Sequence, residues 1–554
     1  MKKLSSPVRI ILHIIITLVA AAVYFYIVLP PINIRSSEFW MFMVYALAFF
    51  GVLESFAAIR KMLSASKMSV HRAGAEVKNN FRLLSGSSKV AFTMAAICLA
   101  FLVVVSFLAT EFFNPEAYSS LITITDGDFT EDVTEISYDQ IPMLDKDSAN
   151  ALANRKLGEL SDLVSQFEVD IESAQINYND KPVRVAYLRY GDFFKWLNNQ
   201  SKGIPAYMVT DMVTQEVSVI RLSEGMKYSP SEYFNRDILR HLRFNYPTLM
   251  FHDVNFEIDE EGVPYYVASV LTKRIMLFGG DDIKGAVLVN AITGECRYYD
   301  YSDVPTWVDR VFTAELIIQQ YDYYGTYKNG FWNSIFGQTG CTVTTDGYNY
   351  IAQDDDVWMY TGVTSLGGDE SNVGFILSNQ RTKETKYYSI AGAEEYSAMG
   401  SAQGSVQQYN YNATFPLLLN IEGQPTYFMA LKDASELVKM YAMVNVQQYQ
   451  IVANGYSLAE CQKNYHQLLK ENKVIDETVE FEPEKDLVEV TGTVEDIRTA
   501  VIEGTTNYYL TVGGQCYRVS CLDNEAVILV NVGDSITLSF EAEAANNIIP
   551  ANIK

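Results

Sequence analysis

Residues 10–29 read IILHIIITLVAAAVYFYIVL, and two stretches of the same kind follow: 39–59, FWMFMVYALAFFGVLESFAAI, and 90–113, VAFTMAAICLAFLVVVSFLATEFF. Each has about the 20 residues that a helix needs to cross a hydrocarbon core. The chain is therefore expected to open with three transmembrane α-helices. The first follows Lys2, Lys3 and Arg9, as a secretory signal would. Its apolar run is longer than the roughly 7–15 residues of a signal's hydrophobic region. Tyr24-Phe25-Tyr26 and Pro30-Pro31 also occupy the place of a cleavage site. It is read as a retained helix.

Charge sets the expected orientation. The segment 60–89 holds Arg60, Lys61, Lys67, Arg72, Lys78, Arg82 and Lys89 against Glu76 alone. Basic loops stay in the cytoplasm, so this segment and the N-terminus are placed there and everything after Phe113 outside. The chain of 554 residues has a net charge of −25. Residues 1–112 carry 11 Lys and Arg against 4 Asp and Glu, so the acidity lies in the part beyond them. A surface of that sign repels phosphate backbones, which excludes nucleic acid as a partner. Inside the spans, His13 and Glu54 both fall within about 10 Å of the cytoplasmic boundary at 1.5 Å per residue. They form a candidate intramembrane polar pair across the first two helices; the plainer alternative is that both snorkel to the interface.

Beyond the spans, a pattern recurs. Asp211-Met-Val-Thr214-Gln-Glu216, Asn290-Ala-Ile-Thr293-Gly-Glu295 and Asn379-Gln-Arg-Thr382-Lys-Glu384 share the form D/N-x-x-T-x-E, each after an apolar run. Asp or Asn at a turn bonds its own backbone, and Thr suits the emerging strand. The expected unit is a β-hairpin, with a fainter fourth copy at Val444-Asn445. Upstream of each lies another hairpin: 175–188 turning at Asn179-Asp180, 255–270 turning at 259–262, 348–363 turning at 354–356, and 417–431 turning at Glu422-Gly423. Helical patterns at 148–163, 230–243, 304–321 and 391–408 separate the four meanders, with Ser229 or Ser231 as the expected cap of the second. The prediction is an α+β ectodomain of repeated helix-plus-antiparallel-meander modules. A four-bladed propeller also needs four meanders, but the intervening helices argue against it.

These residues carry a resemblance. A helix followed by strands with a D/N-x-x-T-G-E hairpin, best matched at 290–299, resembles PepSY modules of exported bacterial proteins. The whole chain is similar to an uncharacterised family of membrane-anchored proteins from Gram-positive bacteria. The resemblance implies an envelope location and the restraint of an exported peptidase.

From Leu487 the pattern turns strictly β. Gly492-Thr-Val494, 508–512, 517–519 and Val532-Gly533-Asp534-Ser-Ile536 read as short strands of a small all-β barrel that resembles an OB-fold. Arg498 and Arg518 stand among many acidic neighbours, so the barrel lacks a nucleic-acid groove and is read as structural or protein-binding. The expected domains are a three-helix anchor at 1–113, an α+β repeat region at 114–456 with units near 145–225, 226–303, 304–390 and 391–456, a helix and linker at 457–486, and the OB-like barrel at 487–554.

Chemistry is sparse. There is no H-E-x-x-H, Walker loop, dinucleotide fingerprint or G-x-S-x-G. Ser64-Ala-Ser-Lys67 matches S-x-x-K without the companion motifs. His241, His252 and His466 are the histidines beyond the spans and the basic loop, and no nucleophile is signposted beside His252-Asp253. No cofactor is expected. Acidic turns offer weak calcium candidates at Asp354, Asp355 and Asp356, beside Asp369-Glu370, and at Asp259-Glu260-Glu261. Five cysteines beyond the spans cannot all pair within one chain. The segment 321–340, YDYYGTYKNGFWNSIFGQTG, is read as a loop with partner-binding candidates Tyr323, Tyr324, Tyr327, Phe331 and Trp332; aromatics beside amides suit protein or cell-wall glycan contact. The alternative is that these rings plug gaps between modules.

The function expected from all this is a membrane-anchored extracytoplasmic binding or scaffold protein of the cell envelope, held in the lipid bilayer and binding an envelope or membrane protein. The rival is a cell-wall enzyme using carboxylates such as Asp253 and Glu257, which hydrolyse a glycoside only if held roughly 5–9.5 Å apart across a cleft.

Overall fold

The computed structural model describes residues 6–66, 85–135, 141–179, 181–353, 355–367, 371–435, 437–476, 487–502, 505–521, 524–541 and 548–553. Most of the basic loop, Asp180, Asp354, Asp369 and Glu370 lie outside the described residues, as does most of the expected linker. The chain divides into two bodies. One holds 1–136, 140–438 and 444–450; the other holds 137–139, 439–443 and 451–554.

The first body begins with α1 (Ser6–Val28), α2 (Ser37–Ser66) and α3 (Gly86–Leu108). Each contains a stretch long and apolar enough to cross a membrane: Pro7–Val28, Ser37–Phe56 and Gly86–Leu108. The third run continues to Phe113 in sequence, but the helix stops at Leu108, where the Asn114 side chain donates to the Leu108 carbonyl at 2.7 Å. Small residues bring α2 and α3 together. The Ser55 and Ser88 hydroxyls are hydrogen-bonded, Ser88 also donates to the Gly51 carbonyl at 3.0 Å, and a Cβ on Gly51 would press into the ring of Phe92. Close approach at small residues is the usual route to packing between apolar helices.

A β-rich globular part follows, giving an α+β architecture. Helix Lys146–Gly158 precedes a five-stranded sheet in which Lys181–Tyr190, Ile204–Asp211 and Val217–Met226 run in order, with Phe167–Val169 and Ala174–Tyr178 both on Lys181–Tyr190. Helix Ile238–Asn245 precedes a second sheet of Met250–Ile258, Pro264–Ile275, Gly279–Asn290 and Cys296–Asp300, each antiparallel to the next. Helix Ala314–Tyr327 precedes a third, built on Asp356–Ser365, Gly374–Asn379 and Thr385–Tyr388, with Ile124–Asp126 added in parallel at its edge. Helix Glu395–Ser405 precedes the hairpin Leu417–Ile421 and Gln424–Lys432. The first two sheets share one core, where Tyr187, Tyr207, Phe256 and Tyr266 meet ring to ring.

Helix starts differ from the sequence reading: the fourth helix begins at Glu395, not 391, because Gly392–Ala393 forms a short strand, and two others shift further. The second helix begins at Ile238, not 230, and its cap is Asp237, whose side chain accepts from the Arg240 amide at 2.9 Å. The third begins at Ala314 behind Thr313, not at 304, because the Val311 and Phe312 amides are drawn to the Gln380 carbonyl at 3.1 and 2.7 Å.

The turns of the recurring pattern share their hydrogen bonds. Asp211, Asn290, Asn379 and Asn445 each accept, on the side-chain oxygen, from the amides two and three residues ahead, at 2.8–3.1 Å. In the first three the Thr hydroxyl accepts from the Glu amide, at 3.4, 3.2 and 3.2 Å. The residue between them, Gln215, Gly294 or Lys383, sits on left-handed backbone at φ 63, 77 and 64°.

The second body contains strand Val452–Gly455, helix Leu458–Glu471 capped by Ser457, and a six-stranded sheet. Strand Leu487–Ile502 pairs with Ser535–Glu541 through its first half and with Thr505–Val512 through its second, bending at a bulge between Val494 and Asp496. The two end strands, Ile548–Pro550 on Gln515–Ser520 and Asn552–Ile553 on Ser535–Glu541, are consecutive in the chain, and the sheet buries Val494, Leu510, Val519 and Leu538 in one core.

Candidate functional site

The polar residues inside the spans converge. Glu54, its side chain fully enclosed, has Oε1 2.7 Å from His13 Nδ1, while Oε2 accepts from Arg9 at 3.1 Å and from Ser87 at 2.6 Å. Ser85 adds a longer bond at 3.4 Å. One carboxylate thus gathers α1, α2 and the first turn of α3.

At the other end of the spans, the globular part is fastened to the helix ends. Arg240 Nε donates to the Tyr26 carbonyl at 3.2 Å, with its guanidinium 4.5 Å from the centre of the Tyr26 ring, and Arg243 Nε donates to the Leu29 carbonyl at 2.8 Å. In the α1–α2 connection, the Ile32 amide donates to the Pro247 carbonyl at 2.7 Å, Asn33 to Thr248 at 2.9 Å and Arg35 to Lys273 at 3.0 Å. After α3, Tyr118 donates its hydroxyl to the Ala109 carbonyl and packs edge-on against Tyr323.

The aromatic segment lies at this junction and is not a loop. Its tyrosines belong to helix Ala314–Tyr327, and Asn333–Gly337 forms a single π-helical turn. Tyr323 and Tyr327 are half-buried against Tyr118, Leu121 and Ile275; Tyr324 and Phe331 are also half-buried. Of the five expected contact residues only Trp332 is exposed, at 61%, and the sequence reading missed its neighbour Phe336, exposed at 79% and stacked on it at 5.7 Å. Phe112, just beyond α3, packs edge-on against both Phe331 and Trp332.

Next to the α1 end opens a cleft of about 550 Å³, lined by Tyr26, Arg189, Tyr190, Glu232, Phe234 and Arg240 among others. Glu232 accepts from the Tyr190 hydroxyl at 2.8 Å and from Trp196 Nε1 at 2.7 Å, and burial pushes its carboxyl above the usual range despite those donors. No feature of the sequence singled out Glu232, since its two donors come from distant elements.

The remaining candidates are structural. Asp356 is buried, with one oxygen accepting from Arg381 Nε at 2.6 Å and the other from Arg381 Nη2 and Asn379 at 2.7 and 2.8 Å, so it is an ion-pair partner and not an open calcium ligand. Asp355, just before it, sits on left-handed backbone, and Asp354 is outside the described residues. No cluster of three or more metal-ligating side chains occurs among the described residues. Glu257 is fully buried, accepting from the Asp309 and Arg310 amides at 2.9 and 3.2 Å, and Asp253 caps the Val254 amide. Burial pushes Glu257 up to about 7, and burial together with the Glu257 charge pushes Asp309 well up. Glu257 and Asp309 therefore share the interior, whereas Asp253, the other carboxylate of the glycosidase alternative, is only partly buried. His252 meets the Thr313 hydroxyl at 3.2 Å, and His241 meets the Gly294 carbonyl at 2.7 Å. All six cysteines are unpaired with one another.

No family model matches the chain, and no curated protein matches it significantly.

Proposed function

We propose that this chain is a membrane-anchored display protein of the cell envelope. Its three-pass anchor leaves the N-terminus and the basic loop 60–89 in the cytoplasm, and its acidic ectodomain outside binds or scaffolds an envelope or membrane protein. The observation that carries this reading is the set of bonds from Arg240, Arg243, Pro247, Thr248 and Lys273 to the span ends. A scaffold must present its surface at a fixed attitude to the membrane. A catalytic domain on a tether has no such need, and the buried Glu257 does not favour the glycosidase alternative.

Shared hydrogen bonding at Asp211, Asn290, Asn379 and Asn445 supports reading the four helix-plus-meander segments as repeats of one PepSY-like module. The six-stranded sheet, whose two end strands are consecutive in the chain, supports reading an OB-like barrel at the C-terminus. On this reading the partner class is an exported or membrane-bound protein, an exported peptidase among them.

Photo-crosslinking in living cells tests the proposal. A photoreactive residue at Tyr396 or Tyr409, both well exposed, should capture the same envelope or membrane protein from either position. Capture of cytoplasmic proteins, or of none from both positions, contradicts it.

A further inference from the structure

Several exposed aromatic side chains of the globular part lie near the ends of the apolar helices. One group begins at the end of α1: Phe244, 54% exposed, meets Phe25 and Tyr26, Phe234, 59% exposed, lines one cleft with Tyr26, and Phe194, 73% exposed, adjoins that cleft through Phe193 and Tyr233. A second lies beyond α3, where Trp332 is 61% exposed and Phe336 79%. Phe244 meets Phe25 edge-on at 5.8 Å, and Phe278 meets Phe101 at 6.4 Å. At 1.5 Å per residue, Phe25 lies about 5 Å and Phe101 about 10 Å short of the ends of their helices. The rings of the globular part therefore reach down alongside the last turns of two apolar helices.

The backbone gives an independent sign. Among the described residues three apolar side chains sit on left-handed backbone, Leu29, Phe234 and Met276, at φ 56, 55 and 51°. For a bulky side chain that conformation is costly and persists only where surroundings enforce it. All three lie at this junction: Leu29 ends α1, Phe234 is held through its carbonyl by Arg240 Nη1 at 2.6 Å, and Met276 turns the hairpin that carries Phe278. Strained backbone thus directs Phe234 and Met276 outward, both more than 45% exposed.

The geometry points to the bilayer surface as the occupant: these rings embed in the headgroup and upper acyl region of the leaflet facing the globular part. Trp and Tyr favour that zone, and exposed phenyl rings beside the ends of apolar helices are better covered by acyl chains than by water. The commitment to lipid follows from continuity. Phe112 joins the Trp332 group to the end of α3, and Phe25 and Tyr26 join Phe244 to the end of α1, so each group is continuous with the end of an apolar helix. The inference rests on α1, α2 and α3 spanning a membrane. It replaces a protein partner with lipid as the occupant of Trp332.

The test uses the full chain in lipid nanodiscs made with phosphatidylcholine brominated near either the headgroup end or the far end of its acyl chains. The difference between wild type and Trp332→Phe isolates the Trp332 emission. It should be quenched by both lipids, more strongly by the shallow bromine, and resist aqueous acrylamide. Phe194→Trp in the Trp332→Phe background should behave alike. Leu18→Trp, on the exposed flank of α1, should be quenched more by the deep bromine, and its failure to quench would remove the spanning reading itself. If Leu18→Trp is quenched while Trp332 and the Phe194→Trp probe answer only to acrylamide, the face is in water and the inference is overturned. Protection of those two probes only after an envelope protein is added overturns it in favour of a protein dock.

Discussion

His13 Nδ1 lies 2.7 Å from Glu54 Oε1, joining α1 to α2 inside their apolar surfaces. Arg9 and Ser87 complete the shell around the same carboxylate. Removing one partner of a buried charged group costs on the order of 3–5 kcal/mol. Glu54→Ala is expected to lower the thermal midpoint in detergent sharply. Glu54→Gln, which keeps an acceptor for Ser87, should lose less. Equal midpoints for wild type and Glu54→Ala would show that the cluster does not hold the helices together.

Asp356 offers a similar test in the globular part. Its bonds to Arg381 and Asn379 are made by a side chain with little exposure, so Asp356→Ala strands a half-buried guanidinium. A loss of about 3 kcal/mol is expected in a denaturant titration. Chelating calcium should leave the wild-type midpoint unchanged, because Arg381 and Asn379 already engage both Asp356 oxygens.

The recurring turn predicts a graded series. Asp211→Ala and Asn290→Ala each remove two bonds to backbone amides, and each should cost about 0.5–2 kcal/mol, as for comparable side-chain caps. Asn379→Ala should cost more, since Asn379 also donates to Asp356. Unrelated values at Asp211 and Asn290, measured by equilibrium unfolding, would argue that the two turns are not equivalent.

Stability should fall as pH rises through the range set by Glu395. This side chain is fully buried, accepts from Thr345 at 3.1 Å, and is pushed up by burial to about 7 from an ordinary 4.5. With the folded value above the unfolded one, the folded state holds the extra proton between them. Stability is therefore unaffected by this group below about 4.5 and declines as pH climbs toward and past 7. A shift of that size corresponds to roughly 3 kcal/mol. Glu395→Gln should match wild type near pH 4 and exceed it at pH 8 in a midpoint series. A mutant midpoint that tracks wild type at both ends would refute the assignment.

Much of the architecture was legible because its signals are local. Span length needs only a run of apolar residues, and the D/N-x-x-T-x-E turns carry their own hydrogen-bonding partners. The helix starts were less visible. Residues 304–313 are apolar enough to look helical, yet Val311 and Phe312 are drawn to the distant Gln380 carbonyl. The site was legible only in part. Trp332 announced itself within an aromatic run, but the tyrosines before it became helix and half-buried packing. Phe194 and Phe234 are far apart in the chain and join one exposed surface only after Trp196 meets Tyr233 and Phe234.

The central claim is that the chain crosses the cytoplasmic membrane three times and holds its globular part outside. Reporter fusions test it most directly. A phosphatase that folds only outside the cytoplasm should be active when fused after Phe113 and inactive when inserted after Lys78, in the loop outside the described residues. Activity at Lys78 with silence at Phe113 would contradict the account.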